Sequence, residues 1–146
     1  MRPSEIRAEL LAQHDQIRTM MDDVRHVAVR ARRGEPVGEA LQAGVARLAQ
    51  VIAQHNAREE ELLRGIIPTV DAWGPARAEI MDETHAREHE VLQEAILGIP
   101  RTPREFAGAG VEALFERVLE HMAREEKTLL AEDVLRDDTV MVEFGG

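Results

Sequence analysis

The sequence has no cysteine and no tyrosine among its 146 residues, and it contains only one tryptophan and three phenylalanines. Without cysteine, disulfides, thiolate metal sites and cysteine nucleophiles are excluded. Basic residues are also few: 18 Lys and Arg face 28 Asp and Glu, and the net charge of −10 argues against sequence-independent binding to nucleic acid. No apolar run approaches the roughly 20 residues that a membrane span needs, and residues 1–6 lack the apolar core of a secretory signal. We therefore expect a cytoplasmic bacterial protein with neither nucleic acid nor membrane as a partner.

The length and composition favour one globular domain over residues 1–146, because 44% hydrophobic and 32% charged residues are typical of a folded chain. Apolar residues recur every three or four positions in four segments, which predicts helices at about 4–32, 37–64, 73–98 and 102–130. Gly65 is the expected cap of the second helix. Short connections between such helices favour an all-α fold, an antiparallel up-down four-helix bundle. A short C-terminal extension follows, with a helical turn at about 132–135 and a tail, 139–146, that is either strand-like or frayed.

Polar residues interrupt the apolar face of every predicted helix without breaking its period. In the second helix the face passes through His55 and Glu59 and then continues to Leu62 and Ile66. The other interruptions are His14 on the first helix, His85 and His89 on the third, and His121 and Glu125 on the fourth. Five histidines and two carboxylates therefore occupy positions where the pattern demands apolar side chains, whereas His26 lies off the face and is expected at the surface.

A buried carboxylate is costly unless it is paired or binds a metal, so this set predicts a metal centre. A lone histidine at a core position is usually structural, and one His-x-x-x-Glu pair is usually solvated; the combination on four helices favours ligands instead. Seven donors exceed what one zinc site takes and suit two ions about 3.5–4 Å apart. Imidazole and carboxylate donors fit iron, and they also fit manganese or zinc.

An internal repeat relates the second and fourth helices. The pattern His55-x-Ala57-Arg58-Glu59-Glu60 recurs 66 residues later, from His121 to Glu126. The repeat predicts a bundle with approximate twofold symmetry, in which each half mainly serves one ion. Glu60 and Glu126 are rotated roughly 100° from the face that carries the preceding glutamates, so we expect both to lie outside the site.

Together these motifs, from about residue 10 to residue 130, resemble the hemerythrin-like, or HHE cation-binding, domain family. The resemblance implies a four-helix bundle with a non-haem centre of two iron ions, bridged by Glu59, Glu125 and an oxo or hydroxo group. It assigns one iron to His85, His89 and His121. It assigns the other iron to His14 and His55, with a position left open for dioxygen and lined by Ile17 and Val118.

Two features depart from the dioxygen carriers of that family. Carriers place an aspartate five residues after the last histidine, whereas here Glu125 stands four residues after His121. Carriers also have a bulky apolar pocket, whereas here Asn56 follows the second histidine and Arg117 precedes Val118. A more polar pocket protects bound dioxygen less well, which favours sensing or redox chemistry over long-term carriage.

Three classes of function remain open. The first is reversible binding of dioxygen, for storage, delivery or sensing. The second is a di-iron enzyme that acts on peroxide or nitric oxide, although the absence of tyrosine and cysteine removes the commonest side-chain electron donors. The third is an iron-sensing or iron-handling protein. The expected partner is dioxygen or another small diatomic or peroxide ligand, and the sequence leaves the oligomeric state open.

Overall fold

The structure is a computed structural model that describes residues 1–70, 74–80, 84–99 and 104–138, and for residues 70, 80 and 104–110 it describes the backbone alone. These ranges contain five helices: α1 (Pro3–Arg32), α2 (Gly38–Val70), α3 (Gly74–Ile80), α4 (Ala86–Leu97) and α5 (Arg104–Lys127). They contain no strand, so the predicted all-α class is confirmed. Helix α1 packs on α2 and α5, and α4 also packs on α2 and α5, while α3 contacts α2. Among the described helices, none is both long and apolar enough to cross a membrane.

The third predicted helix differs from the structure. The segment 73–98 contains two helices, α3 and α4, and a π-helical turn at Thr84 and His85 leads directly into α4. Residue 73 and residues 81–83, between the two helices, lie outside the described part of the chain. The first two residues of the fourth predicted helix, 102 and 103, and the tail 139–146 also lie outside it.

The predicted end of the second helix, at about residue 64, is wrong, because the helix in the structure is longer. Helix α2 continues past Gly65 to Val70 and contains Pro68, although proline removes one backbone hydrogen bond from a helix. Burial of Ile67, which is 0% exposed, favours the continuation. The buried face after Glu59 also runs through Leu63 and Ile67, one residue later than predicted. Steps of four residues drift around a helix with 3.6 residues per turn, so the neighbouring helices decide which register is buried.

Two apolar clusters divide the core. The smaller consists of Ile6, Leu10, Leu63, Ile67, Leu130 and Leu135. The larger contains residues such as Ile17, Met21, Leu48 and Phe115. Along α1 the buried residues pass from the smaller cluster through His14 to the larger one, as the sequence predicts. The metal-binding candidates therefore lie in a polar layer between two apolar clusters.

The end of α5 and the segment after it complete the smaller cluster. Helix α5 ends at Lys127 rather than at about residue 130, and the next buried residue is Leu130. The expected helical turn at 132–135 is a hydrogen-bonded turn, in which Val134 and Leu135 both donate their N–H to the carbonyl of Ala131 at 3.0 Å. Buried Leu135 anchors this turn on the cluster.

Candidate metal centre

The seven residues singled out in the sequence meet in one buried layer. They are His14 on α1, His55 and Glu59 on α2, His85 immediately before α4, His89 on α4, and His121 and Glu125 on α5. Each is at most 8% exposed, and His14 and Glu59 are 0% exposed. His26 is exposed, as expected.

The carboxylate of Glu59 lies between two pairs of histidines. Its Oε2 is 3.0 Å from Nε2 of His55 and 3.6 Å from Nε2 of His14. Its Oε1 is 3.1 Å from Nε2 of His85 and 3.6 Å from Nε2 of His89. Because its two oxygens face different pairs of imidazoles, Glu59 has the arrangement of a bridging carboxylate.

Glu125 occupies a corresponding position on α5. Its Oε1 is 2.7 Å from Nε2 of His121 and 3.9 Å from Nε2 of His14. Its Oε2 is 2.8 Å from Nε2 of His85 and 3.9 Å from Nε2 of His89. Glu125 therefore also connects histidines from both halves of the layer.

The donor atoms form two groups, in each of which they lie within 4.8 Å of one another. The first group, called site A below, consists of His85, His89, His121 and Glu125. The second, called site B, consists of His14, His55, Glu59 and Glu125. The histidines divide between the two sites as the family resemblance implies.

The hydrogen bonding of the layer fits bound cations. Despite the short distances, seven of these buried donor atoms have no hydrogen-bond partner: Nε2 of His14, His55, His89 and His121, both oxygens of Glu59, and Oε1 of Glu125. A buried polar atom without a partner costs roughly 1–3 kcal/mol. Metal ions would satisfy these atoms together, and imidazole nitrogen with carboxylate oxygen is a donor set that suits iron.

Four of the histidines are held at Nδ1 from outside the layer, three of them by a hydrogen bond and His121 by an ion-pair contact. The contacts are His14 to Glu126 at 3.2 Å, His89 to Glu60 at 3.2 Å, His55 to Gln13 at 2.7 Å, and His121 to Glu88 at 2.9 Å. An acceptor at Nδ1 holds the proton there and leaves Nε2 free to bind a metal. These four histidines are therefore oriented in advance, with Nε2 toward the layer.

These contacts correct the expectation that Glu60 and Glu126 lie outside the site. The rotation of about 100° per residue does move each of them off the face of its own helix, but it brings each against a histidine of a neighbouring helix. Gln13 and Glu88, which reasoning from the sequence also missed, immediately precede His14 and His89. The sequence did contain a signal for Glu60 and Glu126, because both occupy the same position of the repeat. A residue that is merely solvated has no reason to recur beside the ligands.

Burial and neighbouring charges shift the pKa values of His121 and His89 in opposite directions. Burial lowers the pKa of His121, but contacts with Glu125 and Glu88 outweigh it and raise that pKa to about 9. Burial also lowers the pKa of His89, to about 3, with nearby His85 adding to the effect. Burial opposes the charge of Glu59, yet its neighbours, with Glu125 and His14 foremost, hold the pKa of Glu59 well below its usual range. The metal-free layer thus combines an anionic Glu59 with a protonated His121, whose proton a metal would displace.

A cavity of about 20 Å³ adjoins the layer on the side of the larger apolar cluster. Apolar side chains form most of its wall: Ile17, Ile52, Leu92, Ile96, Val118 and Met122. Its polar wall consists of His55, His89, His121, Glu125 and Asn56. A volume of this size holds about one water-sized molecule. The structure thus places Ile17, Val118 and Asn56 in the cavity wall, whereas Arg117, expected to make the pocket polar, is exposed to solvent instead.

A much larger cleft, which shares His121 and Glu125 with the small cavity, opens to solvent. It has a volume of about 570 Å³, and its walls include His85, His121 and Glu125 together with Arg124 and Val134. Site A is therefore reachable from this cleft, while the small cavity lies on the apolar side of the layer.

Comparison with known proteins agrees with this geometry. A family model, the hemerythrin HHE cation binding domain, matches residues 5–132. No curated protein and no solved structure gives a significant match to the chain. Because the family match spans most of the sequence and covers all seven residues of the layer, the chain belongs to the hemerythrin HHE cation-binding domain family.

Proposed function

We propose that this protein is a non-haem di-iron protein that binds dioxygen reversibly, for storage, delivery or sensing. The observation that carries the proposal is the small cavity, which lies directly against histidines of both sites and is otherwise mostly apolar. Its volume, about 20 Å³, suits a diatomic molecule and excludes larger substrates. A redox metal next to such a cavity is the arrangement that dioxygen binding requires.

The two sites differ in their donors, which supports an exchangeable position at site B. Site A has three imidazoles and the carboxylate of Glu125, and Oε1 of Glu59 also faces two of its histidines. Site B has two imidazoles, from His14 and His55, with Glu59 and Glu125. When bound there, a pair of ferrous ions would supply the electrons that hold dioxygen. The chain's own residues hold Nε2 of each histidine toward the centre, and apolar side chains form most of the wall of the small cavity beside it.

Asn56 favours sensing over long-term storage. It is 8% exposed and is the one amide side chain among the described residues of the cavity wall, where it can deliver a hydrogen bond to a bound ligand. A proton donor next to reduced dioxygen promotes its loss and the oxidation of the iron. We therefore expect the dioxygen-bound form to be short-lived.

The test is oxygenation of the reduced protein. The iron-loaded protein is reduced without oxygen, mixed rapidly with dioxygen and followed by visible absorption. We expect one dioxygen per pair of irons, a new charge-transfer band, and competition by azide for the same position.

Two controls separate the alternatives. Ile17→Trp should fill the cavity and abolish both the band and the azide effect without removing iron. Absence of the band in rapid mixing, together with an oxidised spectrum that azide leaves unchanged, would refute the proposal and favour iron sensing. Sustained turnover of peroxide or nitric oxide would favour the enzyme.

A further inference from the structure

The contacts at Nδ1 of the four histidines follow the approximate twofold symmetry that the sequence repeat predicts. Helices α2 and α5 correspond at an offset of 66 residues, and His14 and Gln13 on α1 correspond to His89 and Glu88 on α4 at an offset of 75. Each contact has its counterpart. Glu60 holds His89 as Glu126 holds His14, and Gln13 holds His55 as Glu88 holds His121.

Two of the differences between the halves bear directly on the histidine ligands. His85, a donor of site A, corresponds to Leu10, which is buried in the smaller apolar cluster. This difference accounts for three histidines at site A and two at site B. The second is a difference of charge: Glu88 is a carboxylate, whereas its counterpart Gln13 is a neutral amide.

That charge difference acts on the ligands through Nδ1. A carboxylate that accepts the Nδ1 proton makes the imidazole a stronger donor at Nε2, and an amide oxygen does so much less. Glu88 also forms an ion pair with exposed Arg124, through the same oxygen that faces Nδ1 of His121. Gln13 holds His55 at 2.7 Å, which provides orientation without added charge.

We propose that Gln13 and Glu88 are positioning residues that make the two metal sites unequal, so that site A fills first and site B second. The inference rests on the occupation of both sites that the proposed function requires. It assigns to Gln13 a specific role: it keeps site B the weaker site. A weaker site B is also the site with the fewest histidines, where an exchangeable position is expected.

The experiment is a metal titration of the metal-free protein. Co²⁺ is added without oxygen, and binding is followed by its visible spectrum and by calorimetry. The wild type should bind two Co²⁺ ions in two resolved steps. Loss of a partner at Nδ1 of a metal ligand typically changes affinity about 10- to 100-fold. Glu88→Gln should therefore weaken the first step by about that factor, and Gln13→Glu should strengthen the second by a similar factor.

The exchange variant Gln13→Glu/Glu88→Gln gives the sharpest test. It moves the charge from site A to site B with no change in net charge, so it should narrow or reverse the separation of the two steps. A residue that only maintains structure would weaken both steps instead. Glu9→Gln is the matched control, because Glu9 lies on α1 and pairs with Arg58 rather than with a histidine; it should leave both steps unchanged.

The outcomes distinguish this inference from the function on which it rests. If wild-type protein binds only one Co²⁺ ion, the two-ion proposal fails, and the inference fails with it. If it binds two ions but Gln13→Glu has no more effect than Glu9→Gln, the inference alone is wrong. Equal far-ultraviolet circular dichroism of all variants verifies that the comparison is between folded proteins.

Discussion

Oε2 of Glu126 lies 3.2 Å from Nδ1 of His14, and the same carboxylate accepts hydrogen bonds from Arg18 at 2.6 and 3.1 Å. A surface arginine thus fixes a carboxylate, which in turn fixes a completely buried histidine. Glu125, the next residue toward the N-terminus, points instead into the metal layer. Two adjacent glutamates therefore have different roles, one inside the layer and one supporting it from outside.

Removal of these two glutamates should have graded effects. Glu125→Ala deletes an oxygen donor from both sites, so we expect the purified protein to lose most of its bound iron. Glu126→Ala removes the partner of His14 and of Arg18 but no donor atom of the layer, so it should keep metal but bind the weaker ion about 10- to 100-fold less tightly. The measurement is metal content after dialysis, followed by titration with Fe²⁺ without oxygen.

Glu120→Ala is the control for this pair, because Glu120 is exposed on the same helix. It should bind iron as the wild type does. If Glu126→Ala matched this control, the hydrogen bond to His14 would have no energetic importance. If it lost as much iron as Glu125→Ala, Glu126 would be a ligand rather than a support.

The sequence predicts the metal layer better than it predicts the helix ends. The layer is readable because charged residues at buried positions violate the apolar period, and such violations are rare without compensation. The end of α2 is less readable: Gly65 and Pro68 are local stop signals, but the burial of Ile67 is a tertiary effect that outweighs them. The same holds for the register change from Leu62 to Leu63, which depends on the helices packed alongside.

The supporting residues were missed for a related reason. A helical period tells which face of one helix is buried, and Glu60 lies off that face. It does not tell which residue of a second helix stands beside that position, and here it is His89. Arg117 shows the converse: it is adjacent to Val118 in sequence, but helix geometry turns it to solvent.

Metal binding should stabilise the folded chain strongly. The unpaired donor atoms of Glu59 and the histidines are satisfied only when cations are present, and the unfolded chain lacks the site. A ligand present at 100 times its Kd stabilises the folded state by about 2.7 kcal/mol. The loaded protein should therefore melt well above the chelated protein in a thermal scan by circular dichroism.

A matched variant links this stabilisation to the layer. Glu59→Gln keeps the size of the side chain but removes its charge, so it should lose most of the difference between loaded and chelated protein. Exposed Glu61→Gln should keep that difference. Equal melting temperatures of loaded and chelated wild type would mean that the metal does not bind to this buried layer.

The metal-free protein should be most stable near pH 6.5, the ordinary pKa of histidine. The folded-state pKa of His121 is raised to about 9, so its contribution is present below pH 6.5 and is lost as the pH rises toward 9. The folded-state pKa of His89 is lowered to about 3, so its contribution is present above pH 6.5 and is lost as the pH falls. Melting temperatures of chelated protein between pH 5 and 9 test both limbs.

Bound metal should remove the loss of stability between pH 6.5 and 9, because a ligating imidazole is already neutral. The loaded protein should therefore keep its melting temperature between pH 7 and 9, and it should lose metal in acid as the histidines protonate. His26→Gln, at an exposed position, should leave both profiles unchanged. A chelated protein with constant stability from pH 7 to 9 would contradict the assigned protonation of His121.

The polarity of the small cavity should set the lifetime of the dioxygen-bound protein, and two substitutions separate the cavity wall from its surroundings. Asn56 lines the cavity, whereas Arg117 is exposed. Asn56→Leu replaces an amide with an apolar group of similar size, so it should slow the conversion to the oxidised form several-fold while leaving the iron content unchanged. Arg117→Leu should convert at the wild-type rate.

Both rates are read from the decay of the visible band after rapid mixing of reduced protein with dioxygen. If Arg117→Leu slowed the decay and Asn56→Leu did not, dioxygen would be held outside this cavity, since of these two residues Asn56 lines it and Arg117 does not.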